Sequence, residues 1–336
     1  MIRTGFAIVL CVLAATTDGL GQVAAPPQAQ PAVRDVKVAG IPGVVAAEAA
    51  WTLAWSGTDN ADGLVGTTDG GLLFAQEQPH RVSKLDLNNR VSVVVENTRG
   101  AGSLAVDARG RILAVQRTCT DPGRRAPTPC AEPTMIGIIA PEAQRSMLAD
   151  NVQGKPLGRI NDLVVDRQGG VYFTSGGAFY LRPGSAVIPI GANLRTNGIM
   201  LSRDEKTLYV TNGPIVVAFD VLPDGTVANQ RDFAKLEAGG GGDGLAIDAA
   251  GRLYVTSNPG VQVFSPEGKY LGVIPTPRGV ISVAFSGPDK RTLYVVGSGA
   301  LDASGREIET PEGVRNNAKS IFRIPMLADG FTGRAK

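Results

Sequence analysis

The sequence predicts an all-β chain, a six-bladed β-propeller with four-stranded antiparallel blades, and three observations carry that expectation. A short apolar strand, a turn containing Asp or Gly and a second apolar strand recur as one phrase, beginning at Leu64, Leu104, Leu163, Ile199, Leu245 and Val283. The copies lie roughly 40 residues apart, a period at which each four-stranded sheet covers its apolar faces with its neighbours. The 336 residues also include 43 glycines and 22 prolines. No amphipathic stretch long enough for a crossover helix separates the strands, which disfavours a parallel βαβ fold.

The elements follow in chain order. Met1-Ile2-Arg3, an apolar run from Phe6 to Ala15 and a small, polar stretch from Thr16 to Gly21 have the plan of a secretory signal peptide. The run is well short of the roughly 18 apolar residues a bilayer span needs. Residues 1–25 are therefore expected to be removed on export to the periplasm or the medium, leaving no membrane segment. Residues 26–32, rich in Pro, Ala and Gln, read as a flexible tether, and residues 33–336 as the propeller. Strands such as Thr207–Thr211, Arg252–Thr256 and Val261–Phe264 supply the body of each blade. Ring closure beside Ile321–Ile324 is expected from either Val36–Val38 or Trp51–Trp55.

The longest interval between phrases contains Cys119 and Cys130, the two cysteines left after signal removal. In an oxidising compartment they are expected to pair, restricting the unfolded chain by roughly 3 kcal/mol. The insertion falls between the second and third strands of the second blade. There it could act as a lid, with Arg124 and Arg125 at its tip favouring acidic substrates.

With 33 Lys and Arg against 31 Asp and Glu, the net charge is +2, and no basic cluster points to nucleic acid. The single histidine, His80, has no Gly-x-Ser-x-Gly nucleophile elbow to serve, and no Cys/His grouping suits a structural zinc. Gly239–Gly242 lacks the Lys-Ser/Thr pair and helix of a phosphate loop.

Chemistry concentrates two residues before each phrase, where the chain enters the innermost strand and side chains can converge on the propeller axis. Those positions read Asp62, Gly102, Asn161, Asn197, Asp243 and Ile281. Two carboxylates and two amides make a plausible oxygen shell for one divalent metal ion, calcium first, with magnesium, manganese or zinc as alternatives. Gly102 and Ile281 would leave the pocket rim open, and Glu77 and His80 are candidate rim contacts. Asp-Gly and Asn-Gly are also good turn formers, so a purely structural reading of these positions stays open.

The segments Arg159-Ile160-Asn161-Asp162-Leu163, Thr196-Asn197-Gly198-Ile199, Asp204–Val210 and Gly242–Asp248 resemble the senescence-marker-protein/gluconolactonase/luciferin-regenerating-enzyme family over about Gly57 to Ile324. The resemblance implies a calcium-dependent six-bladed propeller that hydrolyses lactones. It places Asn161, Asn197 and Asp243 on metal-ligand positions, Asp243 as proton acceptor, and Arg159 on a substrate contact. Where that family usually opens its first blade with Glu-Gly-Pro, this chain has Asp62-Gly63-Leu64, one methylene shorter at the acid. The expected substrate is a small-molecule lactone or ester. A phosphotriester hydrolase and a non-enzymatic, calcium-stabilised binding propeller are the competing readings.

Overall fold

The computed structural model describes residues 33–57, 59–117, 133–300 and 319–334. These form six four-stranded antiparallel sheets in a ring. The innermost strands are Asp62–Gly66, Ala101–Val106, Leu163–Val165, Thr196–Leu201, Leu245–Ile247 and Val280–Ser286, one per blade and in chain order. The six-bladed, four-stranded expectation is therefore met. One 3-10 turn, Glu142–Gln144, is the only helical element among the described residues.

The first five blades are meanders of consecutive strands, and burial falls from hub to rim. In the first blade, Leu72–Gln76 is buried at every position, whereas the outermost strand Val91–Val95 is exposed at all but the last. The inner strands are apolar on both faces because a neighbouring blade covers each face, which explains their continuous rather than alternating hydrophobic runs. Leu64, Leu104, Leu163 and Leu245, the opening residues of four phrases, are all at most 1% exposed. Such burial contributes about 1.5–3 kcal/mol per side chain.

The aspartate that ends several phrases has a local task. Asp107 Oδ1 accepts the N–H groups of Arg109 and Arg111, each at 2.9 Å. Asp166 Oδ1 does the same for Gln168 and Gly170, and Asp248 Oδ1 for Ala250 and Arg252. Each such acid folds its own hairpin turn, at the end of the inner strand remote from the hub positions.

The ring is closed by the second of the two candidate strands. Thr52–Gly57 pairs antiparallel with Lys319–Pro325, so the last blade holds one strand from the N-terminal side and three from the C-terminal side. The hydroxyls of Ser56 and Ser320, 2.8 Å apart, tie the seam. Val36–Val38 forms no strand, and Val38 instead packs into the core of the fifth and sixth blades. The signal peptide, the tether, the Cys119–Cys130 pair and Arg124 and Arg125 lie outside the described residues.

Candidate metal and substrate site at the hub

Asp62, Asn161, Asn197 and Asp243 come from four blades and line one cavity of about 20 Å³ on the axis, joined by Ser103, Asp162 and Ile281. That is room for a single water-sized occupant. Their backbones are fixed by the second strand of each blade. Asn161 N–H donates to Thr174 O at 2.7 Å, and Asp243 N–H to Thr256 O at 3.0 Å.

The threonines Thr174, Thr211 and Thr256, all fully buried, brace the hub backbone and are not singled out by the sequence reading. Thr174 Oγ donates to the carbonyl of Asn197 in the next blade, and Thr256 Oγ lies 3.2 Å from the carbonyl of Ile281 in the blade after its own. Thr211 Oγ accepts the N–H of Gly198 at 2.7 Å. Their signal was present as a repeated strand ending, Val171-Tyr172-Phe173-Thr174, Leu208-Tyr209-Val210-Thr211 and Leu253-Tyr254-Val255-Thr256. Gly198 lets the blades approach this closely, since a Cβ there would lie 2.1 Å from the carbonyl oxygen of Asp243.

Asp162, buried beside Asn161, is a crosspiece. Its Oδ1 accepts from Ser103 Oγ at 2.6 Å and from Leu163 N–H at 2.9 Å, and its Oδ2 from Ile199 N–H at 3.0 Å. It therefore links the second, third and fourth blades.

The second-blade position differs from what the sequence suggested. Gly102 does not leave the rim open, because the Arg117 guanidinium fills the space a side chain would take. Nor is Glu77 an open rim residue. It is 1% exposed and accepts from Arg117 Nη1 at 3.2 Å and from both terminal nitrogens of Arg159 at 3.0 Å. Arg159 itself, about one-third exposed, stands outside the small cavity with its guanidinium clamped by Glu77. Ile281 lines the cavity wall, while His80 lies exposed in a turn at φ 52° and reaches neither hub cavity.

The charge balance is lopsided. Burial pushes the Asp62 carboxyl above its ordinary range, opposed by Arg117 and the Gly63 N–H and reinforced by Asp162 and Glu77. Asp243 is pushed well above that range by burial and by its neighbours Asp62 and Asp162, with Arg117 and a hydrogen bond from Asn197 pulling the other way. Lys319, at the start of a sixth-blade strand, has its ammonium pKa lowered by burial while Asp62 and Asp243 pull it up. A cavity whose carboxylates resist ionising together is one that a cation would stabilise. Two carboxylates, two amides and no thiol or imidazole make a donor set for a hard cation. Among the described residues no three acidic, histidine or cysteine side chains gather closely enough to hold an ion unaided, so the asparagine amides are needed. The residues present thus fit an oxygen-liganded divalent ion.

Beside Asp243 and Ile281 opens a second cavity of about 550 Å³, lined also by Arg34, Ser257, Asn258 and Arg278. Its size suits a small organic molecule. Asp243 is thus shared between an ion-sized and a substrate-sized space.

Comparison with known proteins places this architecture. The gluconolactonase of Zymomonas mobilis is 32% identical over 186 residues, 46% of this chain and 52% of that protein, so the chain spans about half the length of this relative. The solved structure of a gluconolactonase from Xanthomonas campestris superposes with a TM-score of 0.67 at 24% identity, covering 90% of this chain and 99% of the other. Regucalcin from Agrobacterium tumefaciens, described as a calcium-binding protein, gives a TM-score of 0.58 at 15% identity, covering 83% and 96%. Residues 61–299 match the SMP-30/gluconolactonase/LRE-like region, and the chain belongs to that family.

Proposed function

We propose that the protein hydrolyses a small-molecule lactone, using a divalent cation, calcium first, held at the hub by Asp62, Asn161, Asn197 and Asp243. The observation that carries this reading is the meeting of these four residues around an ion-sized cavity, with Asp243 facing the larger one. The relatives named gluconolactonase support the substrate class.

A bound dication would polarise the lactone carbonyl and offset the oxyanion that forms when water adds. The chain's own groups do the rest. Asp243 orients the attacking water and receives its proton, and needs to be ionised to do so, which its crowded anionic surroundings oppose in isolation. Asn197, hydrogen-bonded to Asp243, holds that carboxylate in place. Arg159, fixed through Glu77, presents a guanidinium edge for the ring oxygens. Export of the mature chain belongs to the same proposal, supported by the secretory plan of residues 1–25.

A panel of sugar lactones, aliphatic lactones and phosphotriesters, assayed with calcium and again with chelator, tests this directly. Calcium-dependent opening of at least one lactone is expected, with Asp243→Asn keeping the fold and losing turnover by about 100-fold or more. Turnover of phosphotriesters alone would assign the other ester class, no turnover on any substrate would leave a binding propeller, and full activity in Asp243→Asn would remove its assigned role.

A further inference from the structure

We propose that Arg117 is the second blade's contribution to the hub, a built-in cation that replaces an oxygen donor, binds Asp62 and Asn161, and sets how tightly the site takes a divalent ion. The inference rests on the hub being the cation site argued above, and extends it to a residue outside the set of four.

Geometry carries it. At the hub position of the second blade stands Gly102, where a Cβ would lie 2.1 Å from Arg117 Cζ, so the missing side chain is what admits the guanidinium. Arg117 is 2% exposed. Its Nε donates to Ile160 O at 2.8 Å and its Nη2 to Asn161 O at 2.6 Å, with Asn161 Oδ1 at 3.4 Å from the same nitrogen. Its Nη1 donates to Glu77 at 3.2 Å and approaches Asp62 Oδ2 at 3.5 Å. A planar fork with several fixed donors meets all of these at once, which an ammonium on a flexible stem does not.

Two of the four candidate ligands are therefore already engaged by a fixed positive charge. The remaining oxygen of Asp62, Oδ1, accepts the Gly63 N–H at 2.8 Å. A divalent ion must share Asp62 with Arg117 and sit close to its charge, which weakens binding. In return, the first, second and third blades stay tied at the hub without an ion. The structure thus assigns Arg117 to an exchangeable ion site rather than to a permanently loaded one.

The test is calorimetric titration of calcium chloride into the chelator-stripped full chain, with thermal melts in chelator and in calcium. Arg117→Met is expected to bind calcium about tenfold more tightly or better, and to gain more thermal stability from it than the wild type does. Arg117→Lys retains the charge and carries the test should Arg117→Met not fold. Because the positive charge stays beside Asp62, its affinity is expected to stay within about threefold of wild type, and a value tenfold tighter overturns the proposal. Equal or weaker calcium binding by folded Arg117→Met also overturns it, while leaving the lactonase reading standing. No calcium binding by any of the three proteins overturns the hub cation itself.

Discussion

The two faces of the ring, one at each end of the inner strands, carry aspartates in opposite electrostatic states. At the turn end, Asp69, Asp204 and Asp224 are held below the ordinary carboxylate range, chiefly by hydrogen bonds from Lys84, Ser202 and Thr226, with Asp69 at about 2. At the hub end, burial pushes Asp62 and Asp243 upward. Asp166 is the exception among the turn acids, raised by burial despite its backbone hydrogen bonds. Cavity size does not separate the two ends. A groove of about 470 Å³ lies at the turn end, but its Arg111, Arg167 and Arg182 are already paired with Asp107, Glu205 and Asp224. What sets the hub end apart is that its acids face each other across an ion-sized space, not the amount of room or of charge.

The largest contrast should come from breaking an ion pair at each end. Glu77→Gln removes a fully buried carboxylate from two guanidinium groups, and loss of one partner of a buried pair costs about 3–5 kcal/mol. A Tm lower by about 6–12 °C is expected, together with a raised KM as Arg159 loses its clamp. Arg182→Gln breaks an exposed pair with Asp224 and should move Tm by no more than about 2 °C. Equal shifts in the two variants, measured by calorimetry, would erase the distinction between the ends.

This difference was only half legible in the sequence. The period, the strand phrases and the hub positions could be read directly, because blade packing demands continuous apolar runs and ring geometry fixes which residues converge. Arg117 could not. It lies fifteen positions beyond Gly102 in the chain, and only its place just after the second strand, Ile112–Gln116, and the absence of a Cβ at Gly102 reveal that the two share one space. Glu77 was placed at the rim for the same reason, since a sequence gives the loop but not the direction of its side chain. Asp162, Thr174 and Thr256 were not legible because their side chains reach partners in adjacent blades. The turn acids, by contrast, bond to their own hairpins, so a local pattern was enough.

Titration sharpens the comparison at intermediate size. An acid whose folded pKa is raised takes up protons on folding. The stability it leaves intact below about pH 3.8 is lost as pH rises through the folded value. An acid whose folded pKa is lowered works the other way, its stabilisation present above about pH 3.8 and lost as pH falls toward the folded value. In chelator, wild-type stability should therefore decline as pH rises above about 3.8 from the hub acids, and Asp243→Asn should decline less. Saturating calcium should remove the difference in slope. Parallel curves for the two proteins in chelator would show that Asp243 is not the strained acid.

The smallest effect tests whether a turn acid is needed for its charge at all. Asp107 Oδ1 accepts two backbone N–H groups, and Oδ2 accepts from Arg111 Nε at 2.7 Å. Asp107→Ala should cost about 1–2 kcal/mol and leave kcat/KM unchanged, because nothing at that end touches the hub cavities. Asp107→Asn keeps an oxygen for the two N–H groups and should recover most of the stability, whereas the same change at Asp243 removes the charge on which the proposed turnover depends. Loss of activity in Asp107→Ala without loss of fold would mean that the two ends are coupled. If Asp107→Asn were as damaging as Asp107→Ala, the turn would be held by charge rather than by hydrogen-bond geometry, and the contrast drawn between the two sets of aspartates would fail at its simplest point.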